Sequence, residues 1–405
     1  MNAEELLPGS QVIARRRVYF HHGISGLRTL PVRARTWALL SATLSLVLHA
    51  TAHAEAPSST AQSESAHNHC RIVGDPASPE PAGIGGGIIF DEHILTNGSR
   101  DEDYNGGGEV TFSGRRTGPL GGALDRALGF IDAITCPQGR SANWQSARAF
   151  AAGLLIFTPR DLASHDVVYG DRPYASLFFV SVGRRYTSLT ADVAYNSSLT
   201  VGMLGLHAAE AVQSALHHLT GSTQPQGWSH QISAGGEPTL RYSFAREALL
   251  AEYGSPGWRG DSKWTAATSI GTVTEGYVAL GARWGRIESP WWAFVPEQNM
   301  YVQETQPAPP PLPSEAPAEV FAFVGAKAKL RVYNAFLQGQ FRESALTYGW
   351  GDLNHALGEA WVGIEWRNSS GWSVQYLARW ESPELRSGVG SRSFVWGSVQ
   401  VTRTF

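Results

Sequence analysis

The stretch WSVQYLARW, residues 372–380, decides the fold class of this chain. Its aromatic and aliphatic residues alternate with a second set that is mostly polar, and a two-residue period separates the two faces of a β-strand. Trp372 and Trp380 stand at the two ends of the apolar face. Strands that cross an outer membrane have this arrangement, because aromatic residues collect at both lipid–water boundaries and apolar residues face lipid between them. The stretch predicts one strand of a transmembrane β-barrel.

Two further stretches follow the same pattern. Residues 277–284 alternate in the same way, and residues 395–405 carry a valine face that closes with Phe405. A last strand that ends in Phe resembles the sorting signal of outer-membrane barrels. A soluble antiparallel sandwich also alternates, but it explains neither the aromatic boundaries nor the terminal Phe.

Thirteen segments have strand character, and single-chain bacterial barrels prefer an even number of strands. The segments are 84–91, 105–114, 149–157, 173–183, 189–203, 238–252, 264–272, 275–285, 319–330, 332–343, 359–367, 371–380 and 393–405. We therefore predict an all-β, antiparallel transmembrane barrel of about twelve strands, with one segment wrong or split. The proline-rich tract 306–317 predicts an extended loop.

The N-terminal region predicts export. Arg33 and Arg35 precede an apolar run over 37–48, and the small-residue sequence 52–54 follows it. The run is shorter than the roughly 20 residues of a spanning helix, so a signal peptide cleaved after Ala54 is favoured over an anchor. We expect 1–54 to be leader and signal peptide, 55–82 a flexible segment, and 83–405 the barrel, in the outer membrane of a Gram-negative bacterium.

Composition excludes some partners. The chain carries 32 Lys+Arg and 35 Asp+Glu, and six of the arginines precede residue 55. This acidic balance argues against nucleic-acid binding. Charged residues make up only 17% of the chain, which suits a surface that faces lipid. Cys70 and Cys136 either pair in an oxidising envelope or remain unrelated thiols.

One segment has helical rather than strand spacing. The sequence LHAAEAVQSALHHL, residues 206–219, precedes Gly221, a plausible helix stop. Its predicted apolar stripe comprises Ala209, Val212, Leu216 and Leu219. Glu210, Gln213 and His217 share a second, polar face. Such a face is usually only solvated, but an ordered insertion between barrel strands is more often functional than a mere connector.

Five motifs occur in the order seen in the outer-membrane lipid A 3′-O-deacylases, and the chain resembles this LpxR-like family from about residue 85 to residue 237 and more weakly to residue 405. The motifs are DEDYNGGGEVTFSG (101–114), GDRPYASLFFV (170–180), LTVGMLGL (199–206), VQSALHHLTG (212–221) and PQGWSHQISAGGEP (225–238). The resemblance implies a twelve-stranded barrel that hydrolyses the ester-linked 3′ acyl chain of lipid A in the outer leaflet and depends on Ca²⁺.

The resemblance also implies a catalytic base. His217 follows the glutamine of VQSALH by four residues, and we assign it the activation of water. His218 projects about 100° away around the helix and is the second choice. Gln213, Gln231 and Asn105 are implied as support for the oxyanion and the site, and Trp228 as an interfacial residue. Thr223 replaces the acid that follows the catalytic helix in the family.

The implied metal site departs from the family pattern. Asp91 and Glu92 stand where the family has Asn-Asp, and Asn105 stands where it has Thr. Carboxylate oxygens suit Ca²⁺. Consecutive strand residues point to opposite faces, however, so Asp91 and Glu92 can share one ion only if the strand ends or bulges there.

Asp171 and Arg172 are candidates for substrate binding. The planar guanidinium of Arg172 matches a lipid A phosphate, whereas an Asp–Arg pair that braces the barrel rim explains the two residues equally well. Three functions remain open: a lipid A esterase acting on lipopolysaccharide, a porin-like or structural barrel without chemistry, and a soluble periplasmic binding sandwich. For the barrel we expect a monomer.

Overall fold

The computed structural model describes residues 85–96, 103–114, 117–135, 144–188, 190–255, 257–298 and 318–404. Twelve antiparallel strands close into one barrel, in which each strand pairs with its sequence neighbours and the first pairs with the last. The strands are β1 (Gly85–Glu92), β2 (Asp103–Ser113), β3 (Trp144–Thr158), β4 (Ala175–Ser188), β5 (Val193–Leu204), β6 (Glu237–Ser255), β7 (Trp258–Gly271), β8 (Val273–Arg286), β9 (Glu319–Asn334), β10 (Ala356–Arg367), β11 (Trp372–Glu381) and β12 (Phe394–Thr404). The predicted barrel is confirmed, and the soluble sandwich is wrong because the sheet has no open edge.

Three α-helices interrupt the strands. They are α1 (Gly118–Thr135), α2 (Ala208–Thr220) and α3 (Ala335–Gln338). Helix α2 confirms the predicted helix within two residues, whereas α1 was not predicted. None of the described helices is long and apolar enough to cross a membrane. The leader, the signal peptide, both cysteines, the proline-rich tract and Phe405 lie outside the described residues, so their predictions stay predictions.

One of the thirteen predicted strand segments, 332–343, is wrong. Strand β9 continues to Asn334, whose side chain then accepts a hydrogen bond from the Phe336 amide at 3.0 Å and begins α3. Ala335, Phe336 and Leu337 are all buried. Three consecutive buried residues suit a helical turn, because a strand would direct alternate side chains to opposite faces.

The outer face of the barrel is apolar, as the alternation predicts. Large hydrophobic residues are exposed at every second position along the strands, among them Val278, Leu280, Val324, Val362, Ile364, Val374 and Tyr376. Trp372 and Trp380, at the two ends of β11, are exposed on the same face. Such a surface is stable in lipid.

The lumen is filled by side chains and by an inward loop. The segment 287–298, which follows β8, places Phe294 against Phe321 and Phe323, with ring centroids 5.2 and 4.6 Å apart. Lys327 donates to the carbonyl oxygen of Glu297 at 3.0 Å, and Arg379 to that of Pro296 at 2.7 Å. We call this segment the plug. It also contacts β6, because Gln298 Nε2 donates to Glu247 Oε1 at 2.7 Å, so it reaches several strands around the lumen, which disfavours the porin-like alternative.

Buried charges fill the lumen beside the plug. Lys329 bridges Glu359 at 2.8 Å and Glu381 at 2.7 Å, and Arg331 pairs with Glu275 at 2.7 Å. Buried ions need such partners, because an isolated charge in a low-dielectric interior is costly.

The barrel has two distinct ends. Gly85 and Thr404 pair at one of them, which we call the terminal end. The opposite end carries the connections β1–β2, β3–β4 and β5–β6, and we call it the loop end. Helix α2 lies in the β5–β6 connection at the loop end, whereas α1 lies in the β2–β3 connection at the terminal end.

Candidate functional site

Helix α2 buries two residues of its predicted polar face, Gln213 and His217. Its third buried residue is Ala209, and the three are one turn apart along the helix. Of the predicted apolar stripe only Ala209 packs on the protein, since Val212 and Leu216 are exposed and Leu219 is 84% exposed. Glu210 and His218 are also exposed. The helix packs on the outer face of the barrel wall, where the surrounding medium is lipid, so its apolar residues point away from the protein.

The imidazole of His217 is held by the turn that ends α2. Gly221 adopts a left-handed conformation with φ 73° and brings the chain back over the helix. As a result, His217 Nδ1 lies 2.5 Å from the carbonyl oxygen of Thr223. A carbonyl oxygen only accepts, so Nδ1 carries the proton and the lone pair of the neutral ring is on Nε2. The backbone carbonyl of Thr223 thereby fixes the tautomer of His217. This role does not need the acidic side chain that the family carries at this position.

Gln213 is fixed by Trp228. The indole Nε1 of Trp228 donates to Gln213 Oε1 at 2.9 Å, and both side chains are buried. The amide Nε2 of Gln213 has no hydrogen-bond acceptor among the described residues. A buried donor without an acceptor costs about 1–3 kcal/mol, so this amide is a candidate for binding an oxygen that the protein itself does not supply.

Gln231 presents the same feature. Ser176 Oγ donates to its Oε1 at 3.1 Å, while Gln231 Nε2 is buried and, within the described part of the chain, lacks an acceptor. In both Gln213 and Gln231 the side-chain carbonyl oxygen accepts a hydrogen bond from the protein. The N–H₂ group of each has no acceptor among the described residues.

A row of cross-strand partners connects these groups on the outer wall. Glu92 pairs with Gly106, Gly106 with Ile156, and Ile156 with Ser176, which contacts Gln231. Neighbouring strands lie about 4.8 Å apart, so the row is about 14 Å long. Ile156 packs in one apolar cluster with Ala209 of α2 and with Trp228. The helix, both glutamines and Glu92 thus belong to one region of the wall at the loop end, which we call the site row.

A β-bulge places Asn105 on this face. The register of β2 against β3 shifts between Tyr104 and Gly106, so Asn105 is the extra residue. Tyr104 points into the lumen, whereas Asn105 Nδ2 donates to Thr158 Oγ1 at 3.3 Å. Thr158 follows Ile156 by two residues on the same face of β3.

Asp91 and Glu92 lie on opposite faces of β1. Tyr104 donates to Asp91 Oδ2 at 3.2 Å from the lumen side, and Ser398 donates to Oδ1. Glu92 lies beside Gly106 instead, since a Cβ at Gly106 would be 3.0 Å from Glu92 Oε2. The bulge is on β2 rather than on β1, so the two carboxylates are not brought together.

Oxygen atoms near Gly106 are the candidate ligands of a hard cation. At Gly106, whose φ is 148°, a Cβ would be crowded by the Asp91 carbonyl oxygen at 2.7 Å and by Glu92 Oε2 at 3.0 Å, so glycine allows these oxygens to lie close to the backbone. Asn105, the preceding residue in the bulge, carries an amide oxygen. Within the described residues, no group of three or more His, Cys, Asp or Glu side chains that could hold a metal ion is present. An oxygen-only set suits Ca²⁺ rather than a thiophilic metal.

Asp171 and Arg172 contact residues of the rim. Arg172 pairs with Glu384 and lies over the ring of Phe157, 4.7 Å from its centroid. Asp171 pairs with Arg392 at 3.0 Å and accepts from the Arg160 amide at 2.9 Å. Their side chains pair with different loop residues rather than with each other, while the backbone amide of Arg172 donates to Asp171 Oδ1 at 2.8 Å. A phosphate-binding role for Arg172 stays a prediction.

The supporting residues of the site are not predicted by the sequence pattern. Trp228 is fully buried under α2 rather than interfacial, and its ring lies 5.0 Å from that of Tyr174. Tyr174 donates to the carbonyl oxygen of Leu162 at 3.3 Å, and burial raises the pKa of its phenol to about 12. The signal for Trp228 was its place in one motif with Gln231, but the contact with Gln213 depends on tertiary structure.

Comparison with known proteins identifies the family. A sequence model described as "Outer membrane protein LpxR" matches residues 41–405. The fold is similar to that of LpxR from Salmonella typhimurium, with a TM-score of 0.60 and 15% identity over 79% of this chain and 100% of the other. The β domain of the Bordetella autotransporter BrkA is also similar, with a TM-score of 0.38 and 8% identity over 80% of this chain and 100% of the other. No curated protein matches the sequence significantly. The match over residues 41–405 shows that this chain belongs to the LpxR family of outer-membrane, lipid A deacylase-like β-barrels.

Proposed function

We propose that this protein is a hydrolase of the outer membrane that removes an ester-linked acyl chain from lipid A, with water activated by His217. The observation that carries the proposal is the inverted face of α2. A helix that exposes Leu219 to lipid while burying Gln213 and His217 against the barrel wall holds polar groups where an acyl ester of the leaflet can reach them.

His217 is the base in this reaction. As the water oxygen attacks the ester carbonyl carbon, Nε2 takes a proton from the water, and the Thr223 carbonyl stabilises the resulting imidazolium through Nδ1–H. The carbonyl oxygen becomes an oxyanion in the tetrahedral intermediate. When this intermediate collapses, the carbon–oxygen bond to the alkoxide breaks, and His217 returns the proton to that oxygen.

Gln213 and Gln231 are proposed as the oxyanion donors. Trp228 and Ser176 hold the two amide oxygens, so the opposite N–H₂ groups are oriented before substrate arrives. Pre-oriented donors need no reorganisation during the reaction, and one such donor contributes about 2.7–4 kcal/mol to transition-state stabilisation.

Ca²⁺ is proposed as the cofactor, held by Glu92 and Asn105. When bound, the ion would supply positive charge for the developing oxyanion. Asp91 is then a supporting residue: its carboxylate braces Tyr104 and Ser398 inside the lumen, which fixes the end of β1 that carries Glu92.

The test is to express the barrel in outer membranes and to examine lipid A by mass spectrometry, with and without a calcium chelator. We expect the wild type to remove one acyl chain in the presence of Ca²⁺ and His217→Ala to lose about 10²–10⁴-fold of the rate.

His218→Ala is the matched control, since His218 is adjacent and exposed. It should retain wild-type activity. Unchanged lipid A from a folded wild-type barrel would remove the proposed reaction, whereas full activity of His217→Ala would leave the reaction and reject the base.

A further inference from the structure

Helix α1 lies on the outer wall of the barrel at the terminal end. Its buried residue Leu128 packs with Val182 of β4 and Leu199 of β5. Val182 and Leu199 are cross-strand partners on the same face as Val180, which is exposed among the lipid-facing residues. The helix therefore covers the outside of the wall between the exposed apolar residues of the strands and the terminal end.

The wall under α1 is polar. Arg184 and Tyr186 follow Val182 at two-residue intervals on the outer face of β4, and Ser197 is the cross-strand partner of Arg184. Without the helix, these groups would face the membrane. Charged residues on the lipid side of a barrel are destabilising to a degree that depends on depth, so this part of the wall needs a cover.

Two carboxylates of α1 satisfy these groups. Asp125 Oδ1 accepts from Arg184 Nε at 3.1 Å, and its Oδ2 lies 3.0 Å from Arg184 NH2. Asp132 Oδ2 accepts from Tyr186 and from Ser197, both at 2.8 Å. The acidic residues of the helix thus point at the barrel.

The outward face of α1 is apolar along its length. Beyond a kink at Gly122 it consists of Ala123, Ala127, Phe130 and Ile134, at spacings of three and four residues, and all of these are exposed. Phe130 is 67% exposed and Ile134 is 68% exposed. Such spacing forms one stripe on a helix. Arg126 is exposed beside the stripe.

We propose that α1 is an interfacial helix whose stripe contacts the acyl chains of the membrane leaflet at the terminal end. The stripe extends the lipid-facing surface of the wall from Val180 toward the terminal end. It presents hydrocarbon to the lipid where β4 and β5 would otherwise present polar groups. Amphipathic helices that lie in a membrane boundary bury an apolar face in this way. The inference is independent of the proposed hydrolysis.

Site-directed spin labelling tests the proposal. Full-length protein with Cys70 and Cys136 replaced by Ser receives single cysteines at Phe130 or Ile134, is labelled, and is reconstituted in phosphatidylcholine–phosphatidylglycerol vesicles. We expect collisions of the label with oxygen, which partitions into lipid, to exceed those with a water-soluble nickel complex by several-fold at both positions. A gel-mobility shift on heating confirms that each variant is a folded barrel.

Two positions serve as matched controls. Val180→Cys reports the lipid-facing wall, and Asp192→Cys reports an exposed turn at the terminal end. Labels on α1 that behave like the one at Asp192 would overturn the proposal. So would labels shielded from both reagents and broadened by a second label, because a second copy of the chain would then occupy the stripe instead of lipid.

Discussion

The two helices on the outer wall differ in how their buried polar groups are used. In α1, Asp125 and Asp132 each bond to side chains of the wall. In α2, Trp228 holds the carbonyl oxygen of Gln213, whose amide group has no acceptor among the described residues, and His217 Nδ1 donates to the Thr223 carbonyl oxygen. Both helices turn apolar residues outward, so both are built for a lipid surrounding.

The polar groups of α1 attach this helix to the barrel, whereas those of α2 are available for the proposed reaction. We call this the separation of attachment from chemistry. Asp125 and Oδ2 of Asp132 fix α1 to Arg184, Tyr186 and Ser197 of the wall, and Asp132 Oδ1 is buried without a hydrogen-bond partner among the described residues. Gln213 retains an amide group for which the described structure offers no acceptor, and such a deficit is a cost unless a ligand supplies the missing oxygen.

Removal of the unsatisfied amide groups should have the largest effect on activity. Gln213→Leu should lower kcat by about 10²–10³-fold, because one oxyanion donor is lost. Gln231→Leu should do the same if both donors act. The measurement is the initial rate of lipid A deacylation by folded, reconstituted barrel.

Gln213→Leu also leaves the buried Nε1 donor of Trp228 without its acceptor, so we expect a loss of about 1–3 kcal/mol in folding stability, with the barrel still folded. Loss of activity together with loss of the barrel's heat-modifiable mobility would instead assign Gln213 a structural role.

A smaller effect is expected at Trp228. Trp228→Phe keeps an aromatic ring beside Tyr174 but removes the Nε1 donor, so the Gln213 amide is free to rotate. We expect about a tenfold decrease in kcat, the effect of about 1.4 kcal/mol, with KM nearly unchanged. Steady-state kinetics distinguish this outcome from a packing defect, which would change both constants and the thermal stability.

The smallest effect on activity is expected at α1. Asp125→Ala removes the partner of Arg184, so local opening of α1 should become easier by about 2 kcal/mol, or about 30-fold in hydrogen exchange. Deacylation should stay within about twofold of wild type. Arg126→Ala, on the exposed side of the helix, should change neither quantity. A large loss of activity in Asp125→Ala would contradict the separation of attachment from chemistry.

The sequence predicts the barrel well because alternation depends only on strand geometry. The pattern over 372–380 corresponds to β11, and twelve of the thirteen segments correspond to strands. The failure at 332–343 has a local cause. Asn334 begins a helix there through its side chain, and this competing hydrogen bond is not visible in hydropathy.

The faces of α2 could not be predicted from periodicity alone. The spacing separates Val212 and Leu216 from Gln213 and His217, but it does not say which set meets the protein. Which set meets the protein depends on the medium around the helix. This medium is lipid because the helix packs on the outer wall of a barrel. Helix α1 carries the same 3–4 spacing in Ala123, Ala127 and Phe130, so a search for helical stripes outside the strands would have found it.

The positions of the site residues depend on tertiary structure to different degrees. His217 and Gln213 follow from helical spacing, whereas Asp91 and Glu92 were separated by the pleat of β1. The bulge that turns Asn105 outward needs the register between β2 and β3, which no local pattern supplies.

The plug has a consequence for the proposed reaction. Phe294 and its neighbours occupy the interior, while the candidate site lies outside the cylinder, so a lipid need not pass through the wall to reach it. Among the described residues the plug narrows the centre of the cylinder, so the reaction proposed at the outer wall would need no open channel.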